Sequence, residues 1–212
     1  MVRLYLSWLL VLMTSCIYAQ GLRKSTAQVQ LREKVIIKTD IFTVTYSETN
    51  EQPISLTYKS SNRVKNVDRG SMDFHTEDEY HTSDKHDYYA NVWDKGHLAP
   101  AATFSDSKAN LKQTFSYLNC ALQNQYLNRG AWRFLEEQER KWDDTQELIV
   151  TVYIKFSDSI LPTGAKIPSN FSKKIFFTND NKYRCYSFPN QRPNKNWKEY
   201  RINCKSINKK VF

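Results

Sequence analysis

Strand-like segments lie towards both ends of the chain, and helical patterns lie between them. Residues 35–49 and 53–61 are rich in β-branched and aromatic residues, which is typical of strands. After a loop marked by its prolines and glycine at 162–168, strand-like residues continue in "KKIFFTN" and "YRCYSFPN", and the same pattern precedes that loop in "ELIVTVYIKF". Because helices and strands are segregated along 212 residues, the sequence predicts a single α+β domain.

Two helices are expected in the middle of the chain. A serine or an aspartate at 105–106 can cap a helix over 106–118, in which apolar residues recur three and four positions apart. The second helix spans 129–142, "RGAWRFLEEQERKW", and is rich in helix-forming residues. Ahead of the first helix, "DYYANVW" predicts a short strand that follows a polar, turn-rich stretch at 62–87.

The N-terminus has the pattern of a secretory signal peptide. Arg3 precedes an apolar run, and small residues follow it. We therefore expect residues 1–19 to be a signal peptide and residues 20–33 a flexible arm, so that the protein is secreted or periplasmic. The alternative is a lipid anchor at Cys16, because "LMTSC" loosely resembles a lipoprotein box. No other apolar run approaches the roughly 18 residues that a membrane helix needs.

The chain is basic, and its positive charge is concentrated near the C-terminus. The formal net charge is +9, and residues 192–212 contain seven lysines and arginines against one acid. Residues 73–87 are acidic. A basic exported protein suggests a polyanionic partner, namely nucleic acid, an acidic polysaccharide or an anionic membrane. A solvated basic surface without a partner is the alternative.

Three cysteines follow the signal peptide: Cys120, Cys185 and Cys204. Export favours oxidation, so one disulfide is expected. Cys185 and Cys204 are the favoured pair because both lie in the C-terminal third, and Cys120 is then a free, buried thiol. Three free thiols are the alternative.

Three of the four histidines fall in the acidic stretch. His75, His81 and His86 could form a zinc site with Asp78 and Asp84. Their spacing is irregular, and no CxxC or HExxH pattern accompanies them. A solvated polar loop is therefore the favoured interpretation.

The fourth histidine, His97, has a different setting within "DKGHLAP". Gly96 gives the chain freedom to turn just before it, and Pro100 ends the segment rigidly. A histidine held in this way can take a proton from water, since its unperturbed pKa is about 6.5. A structural histidine is the alternative to a general base.

A second polar group follows in "SYLNCALQNQYLNRGAWRFLEEQER". Asn119 lies at the end of the first predicted helix. Glu136 and Arg140 are four residues apart, so they share one face of the second. Taken alone, this pair is best explained as an ordinary surface ion pair.

Together, "DKGHLAPAATF" and this later segment resemble the DNA/RNA non-specific endonuclease family, the ββα-metal or His-Me finger nucleases. The family's motifs are Asp-Arg-Gly-His-x-x-Pro, Asn-x-x-Pro-Gln, Leu-Asn-x-Gly-x-Trp and a helical Glu with Gln-Glu-Arg-like residues. "IPSNFSKKIFF" and "SFPNQ" are softer matches. The resemblance implies a central antiparallel sheet, with a ββα-metal finger that carries the active site, in an endonuclease domain over residues 34–212.

The resemblance also implies a role for each matching residue. His97 matches the general base, and Asn119 matches the side chain that binds Mg²⁺ directly. Glu136 matches the acid that holds the metal through water, and Arg140 an arginine near the scissile phosphate. Mg²⁺ is the implied cofactor, with Mn²⁺ as a substitute. DNA and RNA are the implied substrates, and the implied products carry 5′-phosphate ends.

Two departures from the family pattern bear on activity. Lys95 stands where the family has arginine, so the two-pronged contact with phosphate is lost. Leu122 replaces the proline after Asn119. Arg63 and Arg69 are candidates for a further phosphate contact.

Two other functions are compatible with this sequence. The first is a nuclease-like domain that has lost activity and binds nucleic acid or other polyanions through its basic tail. The second is a phosphodiesterase of the same superfamily with a narrower substrate, such as single strands. The sequence leaves the oligomeric state open, with a homodimer as one option.

Overall fold

The protein's structure, a computed structural model, describes residues 30–207 and places most strands in one sheet. The strands are β1 (Val35–Lys38), β2 (Phe42–Ser47), β3 (Gln52–Ser60), β4 (Trp93–His97), β5 (Cys120–Asn124), β6 (Leu148–Ile160), β7 (Lys166–Phe177), β8 (Lys182–Pro189) and β9 (Arg201–Ile202). Seven of these form an antiparallel sheet in the order β1-β2-β3-β6-β7-β8-β9, and β4 pairs with β5. The predicted α+β domain with a central antiparallel sheet is confirmed.

The α- and π-helical segments lie between β4 and β6, and short 3₁₀ turns occur there and after β8. They are α1 (Lys108–Thr114), α2 (Gln125–Leu127), a π-helical turn (Asn128–Trp132) and α3 (Arg133–Asp143). The last three follow one another directly and form the helical arm of the β4–β5 pair. This is the expected ββα arrangement.

The core forms between the large sheet and the helical arm. Along β6, Leu148, Val150 and Val152 are fully buried and alternate with partly exposed residues. This period of two places one face of the strand in the core. Trp132 and Leu135 come from the helical arm and are also fully buried in the same cluster.

Close packing explains the glycine ahead of His97. Gly96 pairs with Ala121 in the β4–β5 ladder. A β-carbon at Gly96 would collide with the side chain of Gln123. The glycine is therefore required by space between the two strands and not, as the sequence suggested, by a turn before His97.

The first predicted helix is shorter than expected. It begins after Ser107, whose hydroxyl accepts a hydrogen bond from the backbone N–H of Asn110, and it ends at Thr114. Ser116 then accepts a hydrogen bond from the N–H of Leu118 and starts a separate 3₁₀ turn. Serine side chains compete with helical backbone bonding in this way.

Two other predictions about strands need correction. "DYYANVW" consists of turns up to its last residue, and the strand begins only at Trp93. The N–H of Trp93 donates a hydrogen bond to the side-chain oxygen of Asn91. Pro168 lies inside β7, not in a loop. It is opposite Phe156, where the register of β6 and β7 shifts, and proline is tolerated at such irregularities.

The predicted disulfide is confirmed. Cys185 on β8 is bonded to Cys204, with a Cα–Cα distance of 5.2 Å. Cys120 is free and buried, as expected. The bond fastens the C-terminal segment to the edge of the sheet.

The predicted signal peptide, residues 1–19, and most of the predicted arm, residues 20–33, lie outside the described residues. Within residues 30–207, no helix has the length and apolar character needed to cross a membrane.

We expect removal of the disulfide to lower the free energy of unfolding by about 2–4 kcal/mol, because the bond closes a loop with a sequence separation of 19 residues. The change is the double substitution Cys185→Ala/Cys204→Ala, and urea denaturation measures it. Reductant should lower the stability of the wild type and leave the double variant unchanged. An equal effect of reductant on both proteins would contradict this expectation.

Candidate active site

His97 is the last residue of β4, and contacts on its backbone and its ring hold it in place. Its carbonyl oxygen accepts a hydrogen bond from the indole Nε1 of Trp132 at 3.3 Å. Its imidazole packs against the rings of Phe74 and Phe115, with centroid distances of 4.9 and 5.1 Å. The end of the strand is therefore tied to the helical arm, and rotation of the imidazole is limited.

The imidazole of His97 is uncharged at neutral pH. Its Nε2 atom is buried and has no hydrogen-bond partner among the described residues. Burial lowers the pKa of His97 to about 4, and the positive charge of Arg69 lowers it further. An uncharged imidazole is the form that can accept a proton.

Three residues of the helical arm share one face. Trp132, Glu136 and Arg140 are spaced four residues apart, and Trp132 is the residue bonded to His97. This face is therefore turned towards the end of β4.

Several of the buried polar atoms without a hydrogen-bond partner belong to the predicted site residues. Six described residues have buried side-chain nitrogen or oxygen atoms without a hydrogen-bond partner: Ser83, His97, Thr103, Gln123, Glu136 and Arg140. Buried polar atoms are bonded in the great majority of cases. Half of these six residues are ones that the sequence assigns to the active site, which indicates a place for a ligand, an ion or ordered water.

The carboxyl group of Glu136 is subject to opposing influences. Burial raises its pKa to about 7, the ammonium of Lys173 opposes this rise, and Glu139 adds to it. The distance from Lys173 Nζ to Glu136 Oε1 is 3.7 Å. A further cation near Glu136 would favour its ionised form.

Lys173, on β7, joins the helical arm to the sheet through a buried network. It is fully buried, and its Nζ donates to the two carboxylate oxygens of Glu139 at 3.0 and 3.2 Å. Tyr58 on β3 donates to the same carboxylate at 2.6 Å. The ammonium also lies 4.3 Å from the centroid of Trp132. These contacts fix α3 against β3 and β7.

Lys95 lies beside His97. The two residues are two positions apart on β4, so their side chains share a face of the strand. Lys95 Nζ lies 5.1 Å from the centroid of Phe74, the ring that contacts His97, and 3.6 Å from a carboxylate oxygen of Asp73. A positive charge is therefore present on this side of the imidazole.

The structure separates the two candidate phosphate arginines. The guanidinium of Arg69 lies 4.6 Å from the centroid of Phe115, the other ring that contacts His97. Arg63 instead lies near Asp106, at 3.5 Å. Arg69 is the better placed of the two, because its charge acts on His97.

Comparison with known protein families identifies the chain. A profile described as DNA/RNA non-specific endonuclease matches residues 19–211. The chain belongs to this endonuclease family. The resemblance carried by "DKGHLAPAATF" and "LNRGAWRFLEEQER" is thereby confirmed, and members of the family are nucleases that depend on divalent metal ions.

Relatives of the chain include mitochondrial endonuclease G of Bos taurus, 36% identical over 97 residues, which are 44% of this chain and 31% of the relative. The human protein is 38% identical over 76 residues, or 34% of this chain and 26% of the relative. The matches thus span about a third or less of these relatives. The fold is similar to that in a crystal structure of the EndoG/EndoGI complex, with a TM-score of 0.72 at 22% identity over 81% of each chain.

The geometry of Asn119 does not suit the metal-binding role that the endonuclease motif suggested for it. The side chain is fully buried, and its Oδ1 accepts a hydrogen bond from the N–H of Ala99 at 2.7 Å. Its Nδ2 donates to the carbonyls of Ala99 and Thr114 at 2.9 and 2.8 Å. These bonds favour a structural role, in which Asn119 holds the chain that follows His97.

A different asparagine of the family motifs is bonded to the strand that ends at His97. Asn128 lies on the π-helical turn and is partly exposed, and its Nδ2 donates to Asp94 on β4 at 2.9 Å. With its nitrogen on Asp94, the amide oxygen faces away from that carboxylate. The signal is present in the sequence, because the "LNRGAW" that matches Leu-Asn-x-Gly-x-Trp contains this residue.

The histidines of the acidic stretch do not assemble a metal site. Within residues 30–207, no group of three or more histidine, cysteine, aspartate or glutamate side chains could hold a metal ion. His75 lies 3.4 Å from Glu77, and His81 lies 3.1 Å from Glu51. The zinc hypothesis is therefore rejected for these residues.

We expect the buried network to be sensitive to the loss of one partner and tolerant of the loss of both. Lys173→Met should lower the free energy of unfolding by about 3–5 kcal/mol, because it leaves the Glu139 carboxylate buried and uncompensated. Lys173→Met/Glu139→Gln should recover most of that loss, since the neutral amide would no longer bring a charge into the core. Urea denaturation of both variants tests this, and equal destabilisation would contradict it.

We expect the His97 ring to titrate with a midpoint near pH 4, followed by NMR of its ring resonances. Since the folded pKa is below the unfolded value of about 6.5, burial of the neutral ring contributes stability that is complete above pH 6.5 and is lost as the pH falls towards 4. A His97→Gln variant should lose less stability across this interval. A midpoint at or above the unfolded value would be inconsistent with the buried ring.

Proposed function

We propose that the protein is a secreted, Mg²⁺-dependent endonuclease that hydrolyses phosphodiester bonds of DNA and RNA with little sequence preference. The observation that carries this proposal is the set of buried, unpartnered polar atoms on His97, Glu136 and Arg140. A general base, an acidic oxygen and a guanidinium are groups that metal-assisted phosphodiester hydrolysis uses. Membership of the endonuclease family supports the same reaction class.

His97 is assigned the role of general base. Its ring is neutral at pH 7 and its Nε2 has no partner, so this nitrogen can accept a proton from water. The deprotonated water attacks phosphorus in line with the departing 3′ oxygen. The bond from phosphorus to that oxygen breaks, and the phosphate stays on the 5′ end of the product.

The helical arm fits a hard divalent cation. Glu136 offers a buried oxygen without a hydrogen-bond partner, and Asn128 offers an amide oxygen, which are ligand types that Mg²⁺ and Mn²⁺ accept. When bound, the cation supplies electrostatic stabilisation of charge on the phosphate and the departing oxygen. We assign Asn119, whose oxygen is bonded to Ala99, to positioning the chain beside His97.

Positive side chains around the imidazole would hold the phosphate. Arg140 has a buried, unpartnered Nη1 atom on the face of α3 that carries Glu136. Lys95 lies over Phe74 and Arg69 lies over Phe115, the two rings that pack against His97. Lysine keeps the charge of the family's arginine but lacks its planar fork, so the phosphate contact at Lys95 is expected to be weaker.

The other departure from the family pattern is accommodated by the fold. Leu122 is fully buried, and its N–H donates to Oε1 of Gln52 at 3.0 Å. A proline could not make this bond. The contacts described for Leu122 therefore give no support to the inactive, polyanion-binding alternative. A digestion assay separates that alternative from a nuclease.

Export of the protein is part of the proposal. The disulfide between Cys185 and Cys204 suits an oxidising compartment. The signal peptide predicted for residues 1–19 would direct the chain there, as a released protein or, in the alternative, one anchored at Cys16.

The test is digestion of plasmid DNA and of RNA by the protein that begins after residue 19, with Mg²⁺, with Mn²⁺ and with chelator. We expect cleavage of both nucleic acids with either metal and none with chelator. His97→Ala should lower the rate about 10²- to 10⁴-fold, because it removes the general base. Absence of cleavage by the wild type, or an unchanged rate in the variant, would refute the proposal, and salt-sensitive binding without turnover would establish the alternative.

Two asparagine variants serve as a matched pair in the same assay. Asn128→Ala should weaken Mg²⁺ activation, seen as a higher Mg²⁺ concentration for half-maximal rate, with little change in stability. Asn119→Ala should lower the free energy of unfolding by about 1–3 kcal/mol, because it leaves backbone groups of Ala99 and Thr114 unpaired. The reverse outcome would assign direct metal binding to Asn119.

A further inference from the structure

A groove that the proposed reaction does not use lies between the helical arm and the C-terminal segment. Its volume is about 300 Å³. None of its lining residues is acidic, and they include Tyr126, Phe134, Arg192, Lys195 and Trp197. The groove therefore combines aromatic side chains with positive charge.

The aromatic part of the groove is open to solvent. Tyr126 is 49% exposed and Phe134 is 44% exposed. The guanidinium of Arg192 lies 4.4 Å from the centroid of the Tyr126 ring. Aromatic rings and arginine planes are the two surfaces on which unpaired nucleobases stack.

The C-terminal wall of the groove is positively charged. Lys195 Nζ lies 4.6 Å from the centroid of Tyr200, beside the groove. The acid of this segment, Glu199, accepts a hydrogen bond from the N–H of Asn196 at 2.9 Å and forms a capping box there. Glu199 does not line the groove, so the charged residues that do, Arg192 and Lys195, are both positive and suit a polyanion.

This groove is separate from the candidate active site. Phe134 lies two residues from both Trp132 and Glu136, so its side chain points to the opposite side of the helical arm from theirs. A ligand in the groove would contact the back of the helix that carries the site.

We propose that this groove is a second binding site for nucleic acid, specific for single strands. Unpaired bases stack on Tyr126 and Phe134, and phosphates contact Arg192 and Lys195. A single strand fits this chemistry better than a duplex, because a duplex stacks its base faces internally. The proposal deepens the proposed function and rests on it for the class of ligand.

The test measures binding by fluorescence anisotropy, with a labelled oligothymidine of about 20 nucleotides, long enough to cover a stacking groove, and a duplex of the same length. All proteins carry His97→Ala and are kept in Mg²⁺, so that the probe stays intact. Tyr126→Ala/Phe134→Ala should weaken single-strand binding roughly tenfold or more, and duplex binding less. Arg192→Gln/Lys195→Gln should also reduce the salt dependence of single-strand binding.

Tyr183→Ala is the matched control. Tyr183 is 49% exposed, like Tyr126, and carries Lys174 Nζ at 4.3 Å from its ring centroid, but it does not line the groove. It should bind the single strand as the parent protein does.

Three results would overturn the proposal. They are wild-type affinity in the Tyr126→Ala/Phe134→Ala variant, an equal loss in the Tyr183→Ala control, and a change from dimer to monomer in that double variant by sedimentation, which would make the groove an interface between copies. A wild type that binds the single strand through the groove but cleaves no nucleic acid would reject the nuclease and retain the groove.

Discussion

The buried ion pair between Lys173 and Glu139 is the interaction on which the arrangement of the site depends. Neither charge can be left alone in the core without a large cost, so α3 must lie where the carboxylate meets the ammonium and the Tyr58 hydroxyl. One turn later, the buried carboxylate of Asp143 accepts a hydrogen bond from the Ser60 hydroxyl, as Glu139 does from Tyr58. The helix that carries Glu136 and Arg140 is thus fixed in register against β3 and β7.

The strand that carries His97 is fixed by a second set of contacts. Gly96 allows β4 and β5 to approach closely, and the amide of Asn119 bonds the backbone just after the histidine. Trp132 then links the carbonyl of His97 to the helical arm. Because the backbone on both sides of the ring is held, the imidazole and the acidic helix face keep a constant relation to each other, as the proposed catalysis would require.

Burial sets the charge state of this region. It lowers the pKa of His97 and raises that of Glu136, since desolvation disfavours the charged form of each. The protein by itself therefore favours the uncharged form of both side chains. A divalent cation would add to the positive charge that Lys173 already places near Glu136, and a phosphate would supply an acceptor for the unpartnered Nη1 of Arg140, which connects the electrostatics of the site with the chemistry proposed for it.

The sequence by itself determined the class of fold, the endonuclease family and the disulfide, and it predicted His97, Glu136 and Arg140 as the polar core of the site. These follow from local patterns and from motif residues that stay in order along the chain. Only the tertiary structure shows that the amide oxygen of Asn119 is bonded to the backbone, and that Arg69, unlike Arg63, lies against a ring that contacts His97. These contacts join segments that are far apart in sequence, so local patterns do not reveal them. The same holds for Lys173, because its ammonium pairs with Glu139 only when β7 packs against α3.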